Sequence, residues 1–186
     1  MMRLFIALPL EKSVKDRLGQ IIAELKSKGG SVKWVKPDNT HLTLRFLGET
    51  DEKLLPRIKS EIDAVASGHA PVTTSISIIG GFPNLSRPRV IWVGIGKEIE
   101  ALSKMARQME LKIRTLGFEK ESKPFKAHLT LARVREPRGN EHLFSYLQEY
   151  QLDEIPAHFD RIVLFKSTLT PQGPIYERLH EAMLLV

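Results

Sequence analysis

Two short segments of the chain carry residue types that could act on a phosphate group. His41-Leu42-Thr43-Leu44 recurs as His128-Leu129-Thr130-Leu131. An imidazole has an ordinary pKa of about 6.5, so a histidine can accept or donate a proton near neutral pH. Displacement at phosphorus is in line, so a base is needed on one side of the atom and an acid on the other. The two segments therefore predict phosphate chemistry carried out by a pair of histidines.

The two segments lie within a longer internal repeat. Residues 36–44 and 123–131 are identical at six of nine positions, with an offset of 128 − 41 = 87. The same offset relates the apolar, strand-like runs at 3–7 and 90–94. In both halves a helical pattern of apolar residues precedes the HLTL segment and another follows it. Such a repeat indicates an internal duplication.

The repeat predicts the fold class and the organisation of the chain. The two copies span about 1–86 and 88–173, and a last strand follows at about 174–186. Each copy reads as strand, helix, HLTL strand, helix and strand. We therefore predict an α+β fold in which residues 1–186 form a single bilobal domain with a pseudo-two-fold axis. Each lobe should be a mainly antiparallel sheet backed by helices, with a central cleft between the lobes.

Alternation along a strand determines which side chains can reach that cleft. The histidine and the threonine of each HLTL segment share one face, and the leucines point toward the core. The hydroxyls of Thr43 and Thr130 can donate hydrogen bonds to phosphate oxygens. Arg133 could neutralise phosphate charge, but strict alternation from His128 places it on the wrong face unless the strand bulges.

Composition narrows the class of protein. The 28 Lys and Arg residues exceed the 22 Asp and Glu residues by six, a balance that favours anionic partners such as nucleic acid. The absence of cysteine excludes disulfides and thiolate metal sites. The apolar N-terminal run is too short to cross a membrane. We expect a cytoplasmic monomer with no membrane association and no protein partner.

A metal site and structural roles for the histidines are the alternatives. Catalytic zinc usually has three protein ligands, whereas each HLTL strand offers one histidine and no carboxylate on the same face. We therefore expect no metal and no cofactor. Trp34 and Phe125 flank the motifs and could stack on a base, although core packing explains them equally well. Four other histidines are expected to be structural or solvated: His69, His142, His158 and His180.

The chain resembles the two-histidine (2H) phosphoesterase superfamily and, within it, the RNA 2′,3′-cyclic phosphodiesterases, once called 2′-5′ RNA ligases. The resemblance covers nearly the whole chain. It includes both HxTx tetrads and the following flanking residues: Arg3 to Leu8, Trp34, Arg45 to Gly48, Ala132 to Val134, Ser167 to Leu169, Gly173 and Tyr176.

The resemblance implies a bilobal fold with a basic cleft and no cofactor. It also implies hydrolysis of a 2′,3′-cyclic phosphate, on an RNA end or a nucleotide, to a 2′-phosphate. The family's roles, carried onto this sequence, make His41 the proton donor and His128 the proton acceptor. Four further residues are expected to bind the substrate: Thr43, Thr130, Arg133 and Trp34.

Three other functions remain open at this point. The chain could be a 2′-5′ RNA ligase, since the reverse reaction uses the same groups, although water far outnumbers ribose hydroxyls. It could be a non-catalytic module that binds RNA phosphates, although arginine or lysine would serve binding better because they stay charged. It could also act on small cyclic nucleotides, because the depth of the cleft is not visible in the sequence.

Overall fold

The chain forms nine strands and four α-helices in a computed structural model that describes all 186 residues. The strands are β1 (Met2–Pro9), β2 (Val32–Trp34), β3 (His41–Thr50), β4 (Val72–Phe82), β5 (Val90–Ile95), β6 (His128–Val134), β7 (Ile155–Phe159), β8 (Arg161–Thr170) and β9 (Gly173–Met183). The helices are α1 (Lys12–Lys26), α2 (Leu55–Ser67), α3 (Ile99–Arg114) and α4 (Glu141–Glu149). Two antiparallel sheets result, which confirms the predicted α+β class. The short strands β2 and β7 were not predicted.

Each sheet combines strands from both halves of the sequence. The first sheet has the order β3-β1-β8-β9, and the second has the order β2-β6-β5-β4-β7. By the repeat offset β8 is the counterpart of β4, yet β8 pairs with β1, and β4 pairs with β5. Each half therefore contributes its third main strand to the other lobe. A lobe therefore does not correspond to one half of the sequence, because β4 and β8 pair with strands that are distant in the chain or belong to the other repeat.

The two lobes share one hydrophobic core. Helices α1 and α3 each present an apolar stripe to it, as their spacing predicts. The core contains 42 buried residues from both sheets and all four helices. A smaller cluster lies on the opposite face of the first sheet and comprises Phe5, Ala7, Val163 and Phe165. The main core therefore joins the lobes, and the small cluster supports the cleft.

None of the four helices combines the length and apolar character needed to span a membrane.

A β-bulge follows the threonine of each HLTL segment. The pairing of β3 with β1 skips Leu44, and the pairing of β6 with β5 skips Leu131. These two leucines are equivalent under the repeat offset. Because an extra residue reverses the face on which later side chains stand, Phe46 and Arg133 return to the face that carries the histidines. The sequence allowed Arg133 to reach the cleft only if its strand bulges, and β6 contains that bulge.

Candidate active site

The predicted site residues lie together in one cleft. The cleft has a volume of about 400 Å³ and is lined by strands of both sheets. It contains all six residues singled out from the sequence: His41, His128, Thr43, Thr130, Arg133 and Trp34. Trp34 also packs partly against the main core, and stacking of its ring on a base stays a prediction. The structure brings these side chains together, and their individual roles stay predictions.

Both histidines are held in the same way. The Nδ1–H of His41 donates to the carbonyl oxygen of Asn39 at 2.8 Å, and the Nδ1–H of His128 donates to that of Lys126 at 2.7 Å. A carbonyl can only accept, so Nδ1 must carry the proton in each ring. In the neutral ring Nε2 is then the unprotonated nitrogen. The cleft therefore contains two histidines in the same tautomer, each with Nε2 available to a ligand.

Burial makes both imidazoles weak bases. It lowers the pKa of His41 to about 4, because the imidazolium would lose its hydration. It also lowers the pKa of His128, and the nearby charges of Lys126 and Arg133 act in the same direction. The hydrogen bonds to the carbonyl groups oppose these shifts. In the free protein both rings are therefore neutral at pH 7, and an anion bound between them would raise the pKa of each.

Aromatic rings pack against each histidine. The ring of Phe5 stacks on His41 with centroids 4.6 Å apart, and Tyr176 meets it edge-on at 5.4 Å. Phe82 meets His128 edge-on at 5.2 Å, and Trp92 lies 6.1 Å away. Phe5 and Trp92 are equivalent under the repeat offset, so the repeat itself indicates an aromatic ring beside each histidine. The rings desolvate the histidines and restrict their rotation.

The polar groups of the cleft suit an anion. The side chains of Thr43 and Thr130 line it beside the histidines, with their hydroxyls available as donors. Four cationic residues also line it, and no aspartate or glutamate does: Arg3, Lys33, Lys36 and Arg133. The guanidinium of Arg3 lies over the ring of Phe46 at 4.7 Å. Neither Arg3 nor Lys36 was among the site residues that the sequence predicted, although Arg3 belongs to the residues that carry the family resemblance.

The donor set does not fit a metal. Nowhere in the chain do three or more His, Cys, Asp or Glu side chains lie together in a way that could hold an ion. The four remaining histidines lie outside the cleft. Three of them have polar partners (His69 with Gln108, His158 with Thr73, His180 with Asp63), and His142 is exposed on α4.

Comparison with known proteins gives a consistent picture. The model of the family described as LigT like phosphoesterase matches residues 8–92 and again residues 93–176. The chain is 38% identical over 179 residues to the RNA 2′,3′-cyclic phosphodiesterase of Archaeoglobus fulgidus, and the match covers 96% of this chain and 98% of that protein. It is 34% identical over 181 residues to the protein of the same name from Thermotoga maritima, with 97% and 94% covered.

Solved structures share the fold. The crystal structure of TT0787 from Thermus thermophilus superposes with a TM-score of 0.80 at 28% identity, covering 98% of both chains. The structure of Escherichia coli LigT complexed with 3′-AMP superposes with a TM-score of 0.72 at 21% identity, again with 98% of both chains covered. At that identity the second likeness shows the fold alone.

Proposed function

Because the chain belongs to the LigT-like phosphoesterases of the two-histidine superfamily, we propose that it is an RNA 2′,3′-cyclic phosphodiesterase that yields a 2′-phosphate. One observation carries the proposal. Two equivalent histidines, His41 and His128, line a single cleft that contains four cations and no carboxylate. The names of relatives that align over nearly the whole chain support the same substrate class.

Substrate binding uses the fixed groups of the cleft. The cyclic phosphate carries one negative charge, which the guanidinium of Arg133 neutralises. The hydroxyls of Thr43 and Thr130 donate to its two non-bridging oxygens. The anion also raises the pKa of the histidines beside it. Binding therefore brings in the proton that the free protein lacks, and His41 Nε2 holds it.

Hydrolysis then proceeds by in-line displacement. The Nε2 of His128 takes a proton from a water molecule, whose oxygen forms a new bond to phosphorus. The bond from phosphorus to the 3′-oxygen breaks on the opposite side, and His41 Nε2–H protonates that oxygen. The product is a 2′-phosphomonoester with a free 3′-hydroxyl. Support for this division of roles comes from the deeper burial of the His41 ring, which leaves the ring of His128 better placed to contact a water molecule.

The choice of residue types argues against a module that only binds phosphate. Arginine or lysine at these two positions would serve binding better than histidine, because they stay charged. Ligation uses the same groups in reverse, but water competes for the cyclic phosphate at a far higher concentration. Hydrolysis is therefore the expected net reaction.

Product analysis with matched histidine variants tests the proposal. An oligonucleotide ending in a 2′,3′-cyclic phosphate is incubated in excess EDTA with the wild type, His41→Ala, His128→Ala or the exposed control His142→Ala. The two site variants should lose about 10²–10⁴-fold in turnover, whereas His142→Ala should match the wild type. Phosphorus NMR should show only a 2′-phosphate. Activity that disappears in EDTA and returns with zinc would rule out the two-histidine mechanism, and a 3′-phosphate product would reverse the histidine roles.

A further inference from the structure

We propose that a second groove, continuous with the catalytic cleft, binds the RNA nucleotides that precede the cyclic phosphate. This inference rests on the function proposed above and makes the preferred substrate a polynucleotide. We call the second groove the upstream groove. It has a volume of about 810 Å³ and is lined by residues of β3 and α3, by the segment 120–126 and by His128 of β6.

The upstream groove begins where the cyclic phosphate would sit. It shares three residues with the catalytic cleft, namely Thr43, Phe46 and His128. A terminal cyclic phosphate occupies both the 2′- and the 3′-oxygen of the last ribose, so the rest of the RNA is attached only through its 5′-oxygen. The catalytic cleft can therefore take the terminal nucleoside while the chain leaves past His128. The upstream groove is the cavity that adjoins this point.

The charge of the upstream groove suits a phosphodiester backbone. Both of its acidic residues are paired with one buried arginine: Arg45 forms ion pairs with Glu110 at 2.5 Å and with Glu121 at 2.6 Å. Four further cations on its walls have no acidic partner: Arg107, Lys120, Lys123 and Lys126. The lining therefore has five cations and two anions, a net charge of +3. Such a surface attracts successive phosphates.

Aromatic side chains accompany these charges. The ring of Phe46 is 40% exposed at the junction of the cleft and the groove. Phe125 is half-buried and also lines the groove. Cations that follow the backbone and aromatic rings on which bases stack are the usual components of a site for single-stranded nucleic acid. The combination favours an RNA strand over an acidic peptide, because every nucleotide of a strand supplies both a phosphate and a base that can stack.

The experiment compares two substrates on three proteins. The substrates are a 2′,3′-cyclic mononucleotide and a trinucleotide with the same terminal base and cyclic phosphate. The proteins are the wild type and two triple variants. The groove variant carries Arg107→Gln, Lys120→Gln and Lys123→Gln. The control variant loses the same charges at exposed positions outside both cavities and carries Lys26→Gln, Lys53→Gln and Arg57→Gln.

We expect the wild type and the control variant to favour the trinucleotide by about tenfold or more in kcat/KM, on the scale of two charged contacts. The groove variant should lose most of this preference, with its mononucleotide rate unchanged. A trinucleotide in which both internal linkages are uncharged methylphosphonates should lose most of the preference on the wild type. On the groove variant that replacement should have no further effect.

The possible failures are distinguishable. If the wild type opens the mononucleotide but gains nothing from the two added nucleotides, the upstream groove does not bind RNA, and the proposed function stands. If the groove variant keeps the trinucleotide preference, these three cations are not the contacts and the inference is wrong. If the wild type opens neither substrate, the proposed function itself fails.

Discussion

The lowered pKa values of the two histidines predict an unusual pH profile for this enzyme. Catalysis needs His41 protonated and His128 neutral, so the free enzyme is active only in the fraction of its singly protonated form that carries the proton on His41. The pKa of His41 is lowered to about 4, and that of His128 also lies below its ordinary value of 6.5. Above the higher of these two values the singly protonated fraction falls tenfold for each pH unit.

The expected size of the effect follows directly. Since kcat/KM reports the free enzyme, it should fall about 100-fold between pH 6.5 and pH 8.5. The decline in kcat should begin at higher pH, because the bound phosphate anion raises the pKa of the proton donor. The phosphate of a cyclic mononucleotide does not titrate in this range, so the decline can be attributed to the protein.

Two measurements check this prediction. Initial rates on a cyclic mononucleotide give kcat/KM and kcat from pH 4.5 to 8.5 at constant ionic strength, with circular dichroism to confirm that the fold persists. Imidazole NMR of the free protein gives the two histidine pKa values independently, with His142→Ala to assign the exposed ring. A kcat/KM that is constant or rising from pH 6.5 to 8.5 would refute the argument, because the proton donor could then not be a histidine with a lowered pKa.

Three further predictions concern other residues of the same site. Thr43→Ala and Thr130→Ala should each lower kcat/KM by about tenfold, less than the histidine variants, because each removes one hydrogen bond from a hydroxyl to the phosphate anion, worth about 1.5 kcal/mol. Thr73→Ala on β4 serves as the control. Arg45→Met should lower the free energy of unfolding by about 3 kcal/mol in urea titrations, because it leaves the partly buried carboxylate of Glu110 without its cationic partner. An unchanged urea midpoint would show that this ion pair does not stabilise the fold. The free energy of unfolding should also fall by about 3 kcal/mol as the pH drops from 6.5 to 4, because the unfolded chain binds the proton that folded His41 excludes. In urea titrations at both pH values, His41→Phe should remove most of this pH dependence.

Local patterns in the sequence predicted the faces of the strands but not their partners. Alternation alone placed His41 and Thr43 on one face, and the structure has them there. The position of Arg133 depended on a bulge, which the sequence allowed but did not indicate, because bulges arise from pairing with a neighbouring strand. Arg3 lies on β1, and its place in the cleft follows from the pairing of β1 with β3.

The same reason explains what else was missed. The apolar alternation of β4 and β8 does not indicate whether each strand pairs with a strand of its own sequence repeat or of the other repeat. Either pairing would bury the same side chains. The depth of the cleft, which lowers the pKa of His41, likewise depends on rings from β1 and β9 that the fold brings together. The monomeric state and the cellular location stay predictions.

The exchange of β4 and β8 between the sheets has a consequence for how this protein loses activity. The polypeptide passes from one sheet to the other four times, between β1 and β2, β2 and β3, β3 and β4, and β7 and β8. Release of β8 from β1 removes a central strand from the sheet that holds His41, and it also pulls on β7 at the edge of the sheet that holds His128. Neither lobe can melt while the other stays intact. We therefore expect a single cooperative transition, in which secondary structure and catalytic activity disappear at the same denaturant concentration.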